Sequence, residues 1–126
     1  MKSKKILIVE DEAALLYALK ARLTVDGFSI STVDSGEKAL EALKKEKPDL
    51  IVLDIILPKM DGYDFLKKIK KEKKYKDIPV VIMSNLNKKE NIEKGLKLGA
   101  KDYLIKTEFK LDDFIKKIKT VIKNGK

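Results

Sequence analysis

Five side chains able to do chemistry stand at the ends of short apolar runs. Glu10 and Asp11 follow Ile6–Val9, Asp54 follows Leu50–Leu53, Ser84 follows Val80–Met83, and Lys106 follows Tyr103–Ile105. Three carboxylates gathered in one place repel, and burial raises the cost of ionising each. A divalent cation relieves that cost. Hard Mg2+ prefers oxygen ligands and keeps several waters, so a few carboxylates suffice to hold it. Lys106 adds a movable positive charge. An Asp carboxylate is also an established covalent acceptor of phosphoryl groups. The set could therefore hold a phosphoryl group on Asp54, its oxygens neutralised by Mg2+ and Lys106.

These side chains must be brought together by the elements that carry them. Ile6–Val9 reads as a strand. Ala13–Asp26 carries Leu16, Leu19 and Leu23 at helical spacing, with Gly27 placed as a C-terminal cap. Phe28–Val33 alternates as a strand does, and Ser35 is placed to cap a helix bearing Ala39, Leu40 and Leu43. After Pro48 comes the wholly apolar strand Leu50–Leu53. Pro58, Asp61 and Gly62 mark a loop, and a helix from about Tyr63 carries Phe65, Leu66 and Ile69. Val80–Met83 is a strand. A helix from about Lys88 to Leu98 is expected to turn Ile92 and Leu96 inward, with Gly99 as its cap. Tyr103–Ile105 is a short strand, and Leu111, Ile115, Ile118 and Ile122 define the last helix. Strand and helix thus alternate five times. That pattern predicts an α/β fold with a parallel sheet covered on both faces, doubly wound by right-handed crossovers. In such sheets ligands bind outside the carboxyl ends of the strands, where the five chemical residues fall.

Composition narrows the function classes. The chain has 126 residues, 44% of them hydrophobic, which suits one domain with one sizeable core. It lacks His and Cys, which excludes Cys/His zinc sites, disulfides, and mechanisms needing a His or Cys base or nucleophile. Lys2, Lys4 and Lys5 imitate the start of a signal peptide, but the apolar run after them ends at Glu10. No apolar stretch approaches the roughly 20 residues of a membrane span, so a cytoplasmic location without membrane partners is expected. The formal net charge is +9, from 28 lysines and Arg22 against 20 acids. Nucleic-acid or membrane-surface affinity, heat adaptation and genome composition would each produce such an excess.

Four segments carry a resemblance: Ile6-Leu7-Ile8-Val9-Glu10-Asp11; Leu53-Asp54-Ile55-Ile56-Leu57-Pro58-Lys59-Met60-Asp61-Gly62; Val81-Ile82-Met83-Ser84; and Gly99-Ala100-Lys101-Asp102-Tyr103-Leu104-Ile105-Lys106. Together, in this order and at strand ends, they resemble the receiver domains of two-component response regulators. The size is that of the single-domain chemotaxis type. The resemblance covers essentially the whole chain and implies a flavodoxin-like (βα)5 sheet of strand order 2-1-3-4-5. It implies one receiver domain over residues 1–126 without an output domain, the chain ending at Asn124-Gly125-Lys126. It also implies roles. Asp54 would accept a phosphoryl group from a histidine kinase or phosphotransfer protein. Glu10, Asp11 and Asp54 would hold Mg2+ with the backbone carbonyl of Ile56. Lys106 would pair with Asp54 and later with the phosphoryl group. Ser84 would donate its hydroxyl to a phosphoryl oxygen, and Tyr103 would swing inward. That movement would remodel a face made by the last two helices and strand five, where a downstream protein binds. The expected state is a monomer, or a dimer once phosphorylated, and not an enzyme beyond slow self-dephosphorylation.

Two departures from the family pattern matter. The family usually has proline, after a cis bond, where Thr107 follows Lys106, and tertiary context is expected to keep that bond cis. Ile56 and Leu86 flank the site where many relatives carry polar groups, so slow loss of phosphate is expected.

Taken singly, each residue has an ordinary explanation. Glu10-Asp11 could cap a helix, Ser84 could be a loop residue, Lys106 is one of 28 lysines, and Tyr103 could be an edge-strand aromatic. Competing functions fare worse than the combination. A dehalogenase-type phosphatase would need a second Asp where Ile56 stands. A flavodoxin-like carrier would need a phosphate-cradling loop where Glu10 and Asp11 stand. A basic nucleic-acid-binding module would need aromatics among the lysines, and only Tyr75 and Phe109 are there, so nucleic acid is not the favoured partner. A phosphate-independent scaffold is the remaining alternative, against which the complete acidic set argues.

Overall fold

The computed structural model describes residues 3–124; Met1, Lys2, Gly125 and Lys126 lie outside them. The elements alternate strictly. They are β1 (Lys5–Val9), α1 (Ala13–Val25), β2 (Ser29–Val33), α2 (Gly36–Lys45), β3 (Leu50–Leu53), α3 (Gly62–Lys70), β4 (Val80–Ser84), α4 (Lys89–Lys97), β5 (Asp102–Ile105) and α5 (Leu111–Asn124). The five strands form one parallel sheet in the order β2-β1-β3-β4-β5. This is the doubly wound α/β fold expected from the alternation, in the expected strand order.

The central strands are apolar at every position because both sheet faces are covered. Successive side chains still point to opposite faces. Leu7, Val9, Ile51, Leu53, Val80 and Ile82 meet Leu43 of α2 and Phe65, Leu66 and Ile69 of α3. Ile6, Ile8, Leu50, Val52, Val81 and Met83 meet Leu19 and Leu23 of α1 and Phe114, Ile115 and Ile118 of α5. Burying a Leu, Ile or Phe side chain contributes roughly 1.5–3 kcal/mol, so these two layers fix the sheet on which the strand ends stand.

Local signals set the ends of the helices. Ser35 caps α2, its Oγ accepting from the Lys38 N–H at 3.2 Å. Asp61 caps α3 in the same way, its Oδ1 accepting from the Asp64 N–H at 2.9 Å. The loop markers Asp61 and Gly62 are therefore the cap and first residue of α3. Gly27 and Gly99 follow α1 and α4 with φ of 98° and 113°, a region that favours glycine.

Two expectations need correction. Leu96 does not turn inward: it is 44% exposed, and the buried residue of α4 is Gly95. A Cβ at Gly95 would lie 2.7 Å from Ile82 Cδ1 and 3.1 Å from Tyr103 Cδ2, so α4 approaches the sheet at the glycine and rotates its neighbour outward. The peptide bond between Lys106 and Thr107 is trans, since no cis bond occurs among the described residues. A non-proline residue leaves the cis form about 2.5–4 kcal/mol above trans, and the contacts here do not overcome that.

Candidate functional site

The sheet edge is built by backbone pairing that runs one step past the strands. The Glu10 N–H donates to the Val33 carbonyl at 3.0 Å, the Asp54 N–H to Val9 at 2.9 Å, and the Lys106 N–H to Ser84 at 2.9 Å. Each functional residue is thus placed by its neighbour strand. Among the described residues Glu10, Asp54 and Ser84 are the buried polar or charged residues, at 3%, 5% and 0% exposure. Each was expected at the site from sequence. Their burial at one sheet edge is what a structural cap or a solvated surface charge would not show.

Lys106 draws the acids together. Its Nζ lies 2.8 Å from Glu10 Oε1 and 3.1 Å from Asp54 Oδ2, with the ammonium largely buried. Asp11 is exposed, and Glu10, Asp11 and Asp54 each offer an oxygen within 4.8 Å of the others'. Burial, opposed by the Lys106 hydrogen bond and reinforced by the charge of Asp54, pushes the Glu10 carboxyl up to about 7. Burial works against the Lys106 ammonium, but the hydrogen bond to Glu10 and the charges of Asp54 and Glu10 outweigh it and hold the group above its ordinary value. The arrangement is an acidic pocket under-supplied with positive charge.

The rest of the expected set lies around this pocket. The Ile56 N–H donates to Asp54 Oδ1 at 3.3 Å, while its side chain is 56% exposed at the mouth. Ser84 Oγ accepts from the Leu86 N–H at 3.2 Å, its hydrogen bond being to its own loop and not to Asp54. Tyr103 already points inward: it is 8% exposed, and its hydroxyl donates to the Leu86 carbonyl at 2.7 Å.

Two residues at the site were missed. Glu12 Oε1 lies 3.3 Å from Lys106 Nζ, making a third carboxylate on that ammonium. As the residue entering α1 it reads in the sequence as an ordinary first-turn acid. Tyr63 is buried, its hydroxyl donates to the Asn91 carbonyl at 2.8 Å, and the Lys94 ammonium stands 4.4 Å over its ring. Burial pushes this phenol well above its usual range. One residue earlier, the Gly62 N–H donates to the Ile55 carbonyl at 2.7 Å. The loop after Asp54 is therefore tied to α4 through two adjacent residues.

This geometry agrees with similarity to known proteins. The family model for the response regulator receiver domain matches residues 6–119. The probable transcriptional regulator ycf27 of Porphyridium aerugineum is 38% identical over 106 residues, which is 84% of this chain and 43% of that protein. The chain spans about two fifths of the length of the curated relatives it matches. Among solved structures, a two-component response regulator from Clostridium difficile is 33% identical with a TM-score of 0.88, covering 96% of this chain and 97% of that one. The phosphorylated cyanobacterial phytochrome response regulator RcpA is 30% identical with a TM-score of 0.83, covering 95% and 91%. A parallel 2-1-3-4-5 sheet, three acids and a lysine at its carboxyl edge, and a family match over nearly all of the sequence place this chain among the response regulator receiver domains of two-component signalling.

Proposed function

We propose that Asp54 is a phosphoryl acceptor and that its phosphorylation switches the domain. The observation that carries this is the Lys106 ammonium held between buried Glu10 and Asp54. A carboxylate oxygen of Asp54 attacks the phosphorus of a phosphohistidine on a histidine kinase or phosphotransfer protein. The new P–O bond replaces the P–N bond, and the departing imidazole keeps the electron pair and takes up a proton. Lys106 leaves its carboxylate partners for the incoming oxygens, and the Ser84 hydroxyl turns from Leu86 to donate to one of them. The relative RcpA is known in a phosphorylated form.

The donor set fits a hard divalent cation: three carboxylates, one exposed to water, with too little positive charge of their own. Glu10, Asp11, Asp54 and the Ile56 carbonyl would hold Mg2+, which when bound neutralises the charge on the transferring group. Removing Mg2+ should lower the melting temperature; at ten times its Kd the ion stabilises by about 1.4 kcal/mol. The pH dependence has a definite sign. Glu10 binds its proton more tightly folded than unfolded, so protons and metal compete. Magnesium affinity should fall as pH drops below about 7. The metal-free protein should lose stability as pH rises from 4.5 to about 7, on the order of 1–3 kcal/mol. Calorimetric titrations and melts at several pH values check both, and a metal-free stability that rises over that window would refute the assignment.

Two surfaces suit the partners. The outward side of α1, which starts at the site, is apolar along Ala14, Tyr17, Ala18, Ala21 and Val25, with Tyr17 77% and Val25 83% exposed. A surface helix apolar on both sides wants a partner, and a helical phosphodonor fits there. On the other side, exposed Leu96 sits on α4, and Tyr103 links that face to Leu86. The downstream protein binds there.

The deciding experiment is exposure to acetyl phosphate or phosphoramidate with Mg2+, followed by mass spectrometry. A phosphoryl adduct should form and be abolished by Asp54→Ala; no adduct with either donor or with a cognate kinase would end this reading. The adduct should decay slowly, over minutes or longer, because Ile56 and Leu86 offer no polar group to position water. Ile56→Asn should shorten its life severalfold, and a lifetime of seconds in the unaltered protein would contradict the expectation.

A further inference from the structure

We propose that Glu12 is a donor-selecting residue, its carboxylate at the mouth of the Asp54 pocket slowing phosphoryl transfer from small free anions. The inference rests on the reading of Asp54 as phosphoryl acceptor. Glu12 holds the N-cap position of α1, yet its side chain makes no capping hydrogen bond. Its N–H is bound to Glu10 Oε2 at 3.0 Å, which fixes the backbone beside the pocket. Its carboxylate is 57% exposed and reaches Lys106 Nζ at 3.3 Å. The side chain is thus occupied with the site's one ammonium and not with its helix.

Charge arithmetic gives the contact a consequence. A bound divalent cation and Lys106 supply three positive charges, which match Glu10, Asp11 and Asp54. Glu12 is a fourth carboxylate, left over once the site is loaded, and it faces water where an anion must enter. Lys106 must also release Glu12 before it can follow the phosphoryl oxygens. A dianion arriving from solution meets both effects, because its local concentration is set by the field at the mouth. A phosphohistidine carried on a docked protein meets less of the first, because contacts elsewhere fix its effective concentration. Glu12 therefore biases the domain toward protein donors.

The test uses Glu12→Gln, which keeps the shape and removes the charge, at saturating Mg2+. Phosphorylation by acetyl phosphate at low ionic strength should speed up by about three- to tenfold. The gain should shrink to under about twofold in 1 M salt, where the screening length is about 3 Å. Phosphoramidate, which carries less negative charge, should gain less than acetyl phosphate does. Salt and donor charge are readouts that a merely structural role would leave unmoved. An unchanged or slower rate with acetyl phosphate, or a gain equal at both salt levels, would overturn the assignment while leaving the acceptor reading intact. Absence of any adduct in the unaltered protein would overturn both.

Discussion

Replacing Lys106 by methionine is expected to destabilise the metal-free protein by about 2–3 kcal/mol at pH 8 and by much less at pH 5. Methionine keeps most of the stem, so the change isolates the ammonium. Removing one partner of a fully buried ion pair costs about 3–5 kcal/mol, because the other charge is left without compensation. This pocket opens to water at Asp11 and Glu12, which places the cost at or just below the lower end of that range. At pH 5 the cost has an escape. Glu10 already holds its proton up to about 7 with Lys106 present, and would hold it more firmly without. A protonated Glu10 no longer repels Asp54, so acid restores what the substitution removed. Mg2+ should restore it too, and bind more tightly, since the competing cation is gone. Denaturant melts at the two pH values, each with and without Mg2+, read all of this. An equal loss at both would show that packing of the stem, and not charge, is what Lys106 supplies.

The second large effect concerns a residue with no side chain. Gly62→Ala should lower stability by about 3 kcal/mol, roughly 10 °C in melting temperature, and impair phosphoryl acceptance. Alanine in a helix is ordinarily about 0.5–1 kcal/mol better than glycine. Here the added Cβ would lie 2.4 Å from the Asp54 carbonyl oxygen, 2.7 Å from Ile55 Cα and 3.0 Å from Ile55 Cδ1. Two of these are backbone atoms of the acceptor loop, and they can yield only by moving Asp54. Gly27→Ala is the control. Nothing lies within 4 Å of its added Cβ, and only its φ of 98° is unfavourable, which costs about 1–2 kcal/mol and leaves the site alone. Equal losses for the two variants would remove the steric argument.

How much of this was legible in the sequence depends on how local the signal is. The strands were readable because Leu50–Leu53 and Val80–Met83 are apolar without interruption, which only a doubly covered strand tolerates. That same uniformity hid which residue faces which helix layer, since alternation carries no contrast when both faces are apolar. The acids and Lys106 were readable because each ends a strand, and a parallel sheet gathers such ends. Glu12 was not, since three residues past the end of β1 and next to α1 an acid looks like any residue at a helix start. Leu96 misled because helical spacing from Ile92 assumes that a helix packs by its largest side chains, whereas α4 packs by Gly95. Tyr63 marked only the start of a helix in the sequence, and its bond to Asn91 depends on two helices meeting, which neither encodes alone.

The two buried tyrosines make the protein its own optical probe. The chain has no tryptophan, so its four tyrosines dominate near-ultraviolet absorption and emission. Tyr63 and Tyr103 are the buried pair; the Tyr103 phenol donates to Leu86, in the segment joining β4 to α4, and the Tyr63 phenol to Asn91, in the first turn of α4. Breaking either bond changes a phenol's surroundings and hence the spectrum. Tyr17, already in water, contributes a constant background. Movement of the loop behind Ser84 can therefore be followed in real time by tyrosine difference spectroscopy, without a label or an engineered residue.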